Sequence, residues 1–218
     1  MSHPVIEQNI MLNAFRLAVV GSLSVQKMVD GFTDEYEDET GVDTAGSTNE
    51  TYDSTNDLYK PSGGLDSYTK LLLHCDGTDG STTFTDETGK TVTANDNAQI
   101  DTAQSKFGGA SGLFDGSGDY LSVPDSDDWN ITTSDATIDF WVYPNTVSVY
   151  QTLFGQLGAA GDWFAYIKSN GTLAVGIYGL NEIATSVTLS IGVWQQIAIT
   201  RTQSSGITKI FIGGVERL

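Results

Sequence analysis

Cysteine is almost missing from this chain. Cys75 stands alone among 218 residues, so no internal disulfide can staple the fold. Its place in the apolar run Leu71-Leu72-Leu73-His74-Cys75 reads as that of a small buried hydrophobe. Histidine is nearly as scarce. A Ser-His-Asp relay would have to use His3, near a terminus, or His74, inside the apolar run, and nothing in the sequence offers either an orienting partner. Basic side chains are few, 10 against 28 acidic, for a formal net charge of −18. A duplex-binding surface needs clustered Lys and Arg, so nucleic acid is excluded as an expected partner. The same imbalance suits a protein that avoids other polyanions or whose loops hold divalent cations. Long hydrophobic runs are also missing. The stretch from Ile10 to Val20 is interrupted by Asn13 and Arg16 and is too short to span a bilayer, and no basic-then-apolar leader opens the chain. Neither membrane insertion nor secretion through a leader is expected, and assembly in a cytosol is.

What is present divides into three regions. Residues 1–31 contain an apolar-rich segment that reads equally as a short helix over Ile10 to Val20 or a strand over Phe15 to Val25. Residues 32–67 shift to Asp, Glu, Thr, Ser, Asn and Gly, with the acidic run Thr33-Asp34-Glu35-Tyr36-Glu37-Asp38-Glu39. Such a segment buries little surface by itself and is expected to be an extended acidic linker, closed by the turn formers Pro61, Gly63 and Gly64. From residue 68 to 218 the texture is that of strands.

In Ala136 to Tyr143 the alternation places Ile138, Phe140 and Val142 on one face and Asp139, Trp141 and Tyr143 on the other, with Pro144 as a stop. Trp163 to Lys168 and Thr172 to Tyr178 flank Asn170-Gly171, a strong hairpin signal because both residues tolerate positive φ. Ile183 to Leu189, Val193 to Thr202 and Ile207 to Ile212 continue the row. Regular short strands of this kind imply an all-β sandwich or jelly roll.

Several strings carry a family resemblance. Leu71-Leu72-Leu73-His74-Cys75-Asp76-Gly77, the stretch from Ser105 through Phe107-Gly108-Gly109 and Phe114-Asp115-Gly116 to Leu121, Thr137 to Val142, and Trp194 to Arg201 resemble the concanavalin-A-like, laminin-G-like jelly roll. The segment from Lys106 to Gly116 is similar to sandwich domains of bacteriophage tail, fibre and decoration proteins, and the acidic stretch from Asp38 to Asp43 has the same character. The resemblance implies a virion structural protein, assembled in the host cytoplasm. Residues 1–31 would dock or oligomerise, residues 1–67 would meet other virion proteins, and the sandwich would be displayed by a homo-oligomer, with a trimer favoured. The alternative is a free carbohydrate-binding module of an extracellular or cell-surface protein. In the family a strand like Ile207 to Ile212 is followed by further strands, whereas this sequence stops at Leu218. The sheet is therefore expected to need completion by a neighbouring subunit, by a strand from residues 1–31, or by additional residues.

The chemistry of sites follows. Some glycoside hydrolases share the jelly roll and set paired carboxylates on one strand, but the nearest such string, Glu35-Tyr36-Glu37-Asp38-Glu39, lies in the linker. No catalytic residues are expected and the chain is read as a non-enzyme. Asp76 to Glu87 resembles a calcium loop only at its ends, since Ser81 takes the position that wants Gly. The resemblance implies a looser calcium site at the sandwich rim, with Asp76, Asp86, Asp115 and Asp119 as ligands; the same residues serve equally as turn caps. Tyr120, Trp129, Trp163, Tyr166 and Tyr178 fall near turns, where exposed rings stack on the faces of a surface glycan, although core burial accounts for them too. Trp141 and Trp194 are assigned to packing.

Overall fold

The computed structural model describes residues 4–19, 50–53 and 58–61 at the level of strand pairing, and residues 67–131, 134–156, 163–177 and 182–218 in full. The chain is all-β and antiparallel throughout its pairings, the architecture of a jelly-roll sandwich. Among the described residues the sole helical element is a single 3-10 turn, Asp127–Trp129, capped by the Ser126 hydroxyl. No described helix is long and apolar enough to cross a membrane.

Strand β1 (Pro4–Val19) lies in the interior of the main sheet. Residues 10–19 of the segment that read as helix or strand are therefore strand, and residues 20–25 lie outside the described residues. Two short strands, β2 (Glu50–Asp53) and β3 (Leu58–Pro61), pair as a separate hairpin within the stretch expected to be an extended linker. The rest of that stretch lies outside the described residues, as does most of the expected docking segment beyond β1.

The sandwich proper begins at β4 (Thr69–Leu73), and β5 (Thr93–Asn95) and β6 (Gln99–Asp101) both pair with the long β7 (Ser111–Ser122). After β8 (Ala136–Pro144) come β9 (Gln151–Gln156), β10 (Trp163–Ile167), β11 (Thr172–Ile177) and β12 (Glu182–Thr188). The chain closes with β13 (Gln195–Arg201), β14 (Thr208–Ile212) and the short β15 (Val215–Glu216). The sheet runs β12-β11-β10-β9-β1-β8-β13-β14-β15, with β4 and β7 branching from β1. Its two ends come back together: the Ser186 N–H of β12 donates to the Arg217 carbonyl just past β15 at 3.0 Å.

That closure encloses one core. On β8 the alternation holds, with Ile138, Phe140 and Val142 all buried. Phe140 meets Phe154 of β9 edge to face at 5.7 Å, and Phe154 meets Trp163 at 5.3 Å, which ties opposite parts of the path together. The other face of β8 is covered as well. Phe107 stands edge-on to Trp141 at 5.6 Å, Lys106 lies 4.4 Å above the same indole, and Tyr143 packs on Trp194 at 5.5 Å. The β10–β11 hairpin forms where Asn170-Gly171 predicts it: Gly171 has φ 81° and its N–H closes the turn on the Lys168 carbonyl at 2.8 Å. The Asn170 side chain then accepts from the Thr172 N–H at 3.1 Å.

β1 is paired on both sides. It takes β8 on one side, from Ile10↔Pro144 to Val19↔Ala136, and on the other side β7 and then β4, from Val5↔Ser122 to Ala18↔Thr69. A strand from the N-terminal region thus lies in the middle of the sheet, away from β14, which is bordered by β13 and β15.

Candidate functional site

β7 departs from regular pairing in one place. Asn9 stands opposite Asp115 and Glu7 opposite Tyr120, so residues 116–119 bulge out against a single residue of β1. Gly116 and Gly118 make the excursion possible at φ 85° and 86°; at Gly118 a Cβ would also lie 2.5 Å from Asp96 Oδ2. Asp119 fixes its base. This carboxylate is 1% exposed and accepts the Asp115 N–H at 2.8 Å and the Asn97 N–H at 3.0 Å.

The excursion forms one wall of an open groove of about 470 Å³, and β9 with β10 forms the other. Tyr150, at the entrance to β9, is 66% exposed and lies 5.8 Å from the Tyr166 ring, which in turn lies 5.6 Å from Phe164. Two rings thus line one side, and Phe164 lies against the second of them. Beneath them Gln151 is 1% exposed: its Nε2 donates to the Thr146 carbonyl at 2.7 Å, while its Oε1 has no hydrogen-bond partner. A buried carbonyl oxygen left without a donor is costly.

The Tyr166 hydroxyl donates to Glu182 Oε2, and Lys168 Nζ donates to Glu182 Oε1 at 2.7 Å. These bonds, that from Lys168 first, hold the Glu182 carboxyl below its ordinary range. The same bond raises the Lys168 ammonium. Burial, followed by the Glu182 bond and charge, pushes the Tyr166 phenol upward, so it remains a donor. The arrangement orients an aromatic platform and keeps its flanking carboxylate ionised.

Of the aromatic residues singled out in the sequence, Tyr166 reaches the groove. Tyr120 is half-buried at the end of the excursion. Trp129 and Trp163 are core residues and offer no free ring face, which corrects their expected exposure. Their indole N–H groups donate to the Pro124 carbonyl at 2.9 Å and the Trp129 carbonyl at 2.8 Å, so the sandwich uses them as filler with satisfied polar tips. Tyr178 lies outside the described residues.

The four aspartates do not assemble. Among the described residues no group of three or more His, Cys, Asp or Glu side chains is placed to hold a metal ion. Asp86 is a buried clamp, accepting from Leu72 N at 2.8 Å, Thr88 N at 3.2 Å and Lys90 N at 2.8 Å, which pins the following loop to β4. Asp115 is exposed. The Asn97 amide and then the Ser117 N–H lower its carboxyl, and the Ser117 contact of 2.8 Å is a turn cap. Asp76 is exposed beside the buried Cys75, whose thiol burial pushes up to about 12. His74 is exposed just past β4, 4.0 Å from Glu87, rather than within the strand.

Tyr150, Gln151, Lys168 and Glu182 were not singled out in the sequence. The available signal was Tyr150 itself, a large ring following Ser148-Val149 at a strand entrance.

The antiparallel jelly-roll architecture is that of concanavalin-A-like sandwiches. Residues 115–218, just under half of the chain, match the family model described as the concanavalin A-like lectin/glucanases superfamily, of laminin G type. No curated protein and no solved structure matches the chain. The matched span contains β8 to β15, most of β7 and every residue of the groove described above.

Proposed function

We propose that this chain is a surface-attachment module whose sandwich binds a glycan in the groove between the β7 excursion and β9–β10, and that it serves as a structural component of a bacteriophage virion, in a tail fibre, spike or capsid decoration. The observation that carries the glycan reading is the Tyr150–Tyr166 ring pair, the first exposed and the second half-buried, lining an open groove. Pyranose rings present an apolar face that aromatic side chains cover, and this groove offers two such rings side by side.

Binding is favoured over hydrolysis. A glycosidase needs one carboxylic acid kept protonated near neutrality, whereas Glu182 is held ionised by Lys168 and Tyr166, and Asp119 is occupied by two backbone N–H groups. The virion setting draws its support from the likeness of residues 106–116 to phage sandwich domains. A free carbohydrate-binding module uses the same groove and draws support from the family match, which falls on the sandwich alone.

The glycan reading is tested by screening the full chain and its Tyr150→Ala and Tyr166→Ala variants on a carbohydrate array, then titrating any ligand found. Each substitution is expected to weaken binding by about tenfold or more with the fold retained, as for exposed aromatic anchors. An array blank for the unmodified chain would remove the proposal. Mass spectrometry of purified particles from the source culture separates the two settings, since only a virion protein is present in them.

A further inference from the structure

The pairing of β1 carries an inference about how copies of this chain associate. β1 is an interior strand with backbone partners on both sides over most of its length, so the sheet without it would have a slot flanked by the open edges of β8 and of β7 with β4. Such edges are templates for an incoming strand.

The connection from β1 back to the sheet is far longer than the pairing needs. Ala18 is the register partner of Thr69, and directly opposed residues of an antiparallel pair lie only about 5 Å apart. Antiparallel neighbours so placed are ordinarily joined by about 2 to 5 residues. Here residues 20–68, 49 in number, intervene, rich in Asp, Glu, Ser, Thr, Asn and Gly. With residues 50–61 folded back as the β2–β3 hairpin, the rest of that connection has a contour of roughly 120 Å, enough to reach the slot of an adjacent molecule. The backbone register is equally satisfied by a β1 from either molecule.

We infer that β1 is a donor strand exchanged between copies of this chain: the slot between β8 and β4–β7 of one copy takes residues 4–19 of a second copy, and the long connection is the tether that permits it. The occupant is a second copy because the strand that fits the slot is this chain's own. The exchanged contact is heterologous and closes into a ring when the rotation between successive copies returns to the first.

The test is cross-linking at a register pair. Ala18 stands opposite Thr137 across β1 and β8. In a Cys75→Ser background, full chains carrying either Ala18→Cys or Thr137→Cys are refolded together and oxidised. A covalent heterodimer absent from either single variant alone is expected. If the mixture yields no heterodimer while a chain carrying both substitutions closes within itself, the exchange is overturned.

A second measurement needs no disulfide. The full-length chain is expected to run as a multimer on gel filtration with light scattering. A full-length chain that is monomeric overturns the proposal.

Discussion

Glu182 shows how single residues set the groove's chemistry. Lys168 and Tyr166 both donate to its carboxylate and hold it below the ordinary value of 4.5. A depressed carboxyl contributes its interactions fully above the unfolded value and loses them as pH falls through the folded one. Glycan affinity is therefore expected to be flat from neutrality down to about 4.5 and to fall below it, as the Tyr166 hydroxyl and the Lys168 ammonium lose their common anchor. Isothermal titration across that range checks this. Glu182→Gln should remove the acid limb of the profile, and an unchanged profile would show that Glu182 does not position the platform. This residue was not legible in the sequence. Its partners lie 14 and 16 positions away across a hairpin, and nothing in the composition of Asn181-Glu182-Ile183 distinguishes it from a solvated acid. Trp129 and Trp163 were misplaced for a related reason. A tryptophan beside a turn looks the same whether its N–H meets water or, as here, a buried carbonyl.

At the scale of elements, β10 carries the rings of the proposed glycan groove. Phe164 and Tyr166, two residues apart, share a face and stack at 5.6 Å. Phe164 is flanked across the sheet by Gly155 on β9 and Gly176 on β11. A Cβ at Gly176 would come within 2.5 Å of Phe164 Cζ, so the phenyl ring lies over a position that only glycine leaves free. Gly176→Val is expected to lift Phe164, displace the Tyr166 ring and weaken glycan binding several-fold, while costing about 1–3 kcal/mol of stability from overpacking. Titration together with urea unfolding separates the two effects. Affinity unchanged at reduced stability would mean that the platform does not lean on Phe164. The strands themselves were largely legible, because alternation in β8 and the Asn170-Gly171 turn are local signals. The location of β1 was not. Its partners are β4, β7, β8 and β9, all more than forty residues away along the chain, and an apolar run interrupted by Asn13 and Arg16 has no local feature that chooses interior strand over helix.

For the molecule as a whole the governing quantity is charge. With 28 acidic and 10 basic side chains the surface repels anions at long range. The groove does not reverse this, because Lys168, beside its rings, is already paired with Glu182, and Asp119 lines the opposite wall. A sulfated or sialylated glycan would approach against this field with no Lys or Arg among the described residues that line the groove, whereas a neutral hexose would feel little of it. Repulsion among like charges is screened over about 8 Å at physiological ionic strength and reaches roughly 30 Å at 0.01 M. The expected pattern on an array is therefore signal confined to neutral or amino sugars at low salt. Raising salt from about 0.01 to 0.15 M should leave neutral-glycan affinity nearly unchanged, since stacking and neutral hydrogen bonds are weakly screened. The same change should raise the melting temperature by relieving self-repulsion. Tight, salt-sensitive binding of a polyanionic glycan would place recognition on some other surface than the Tyr150–Tyr166 groove.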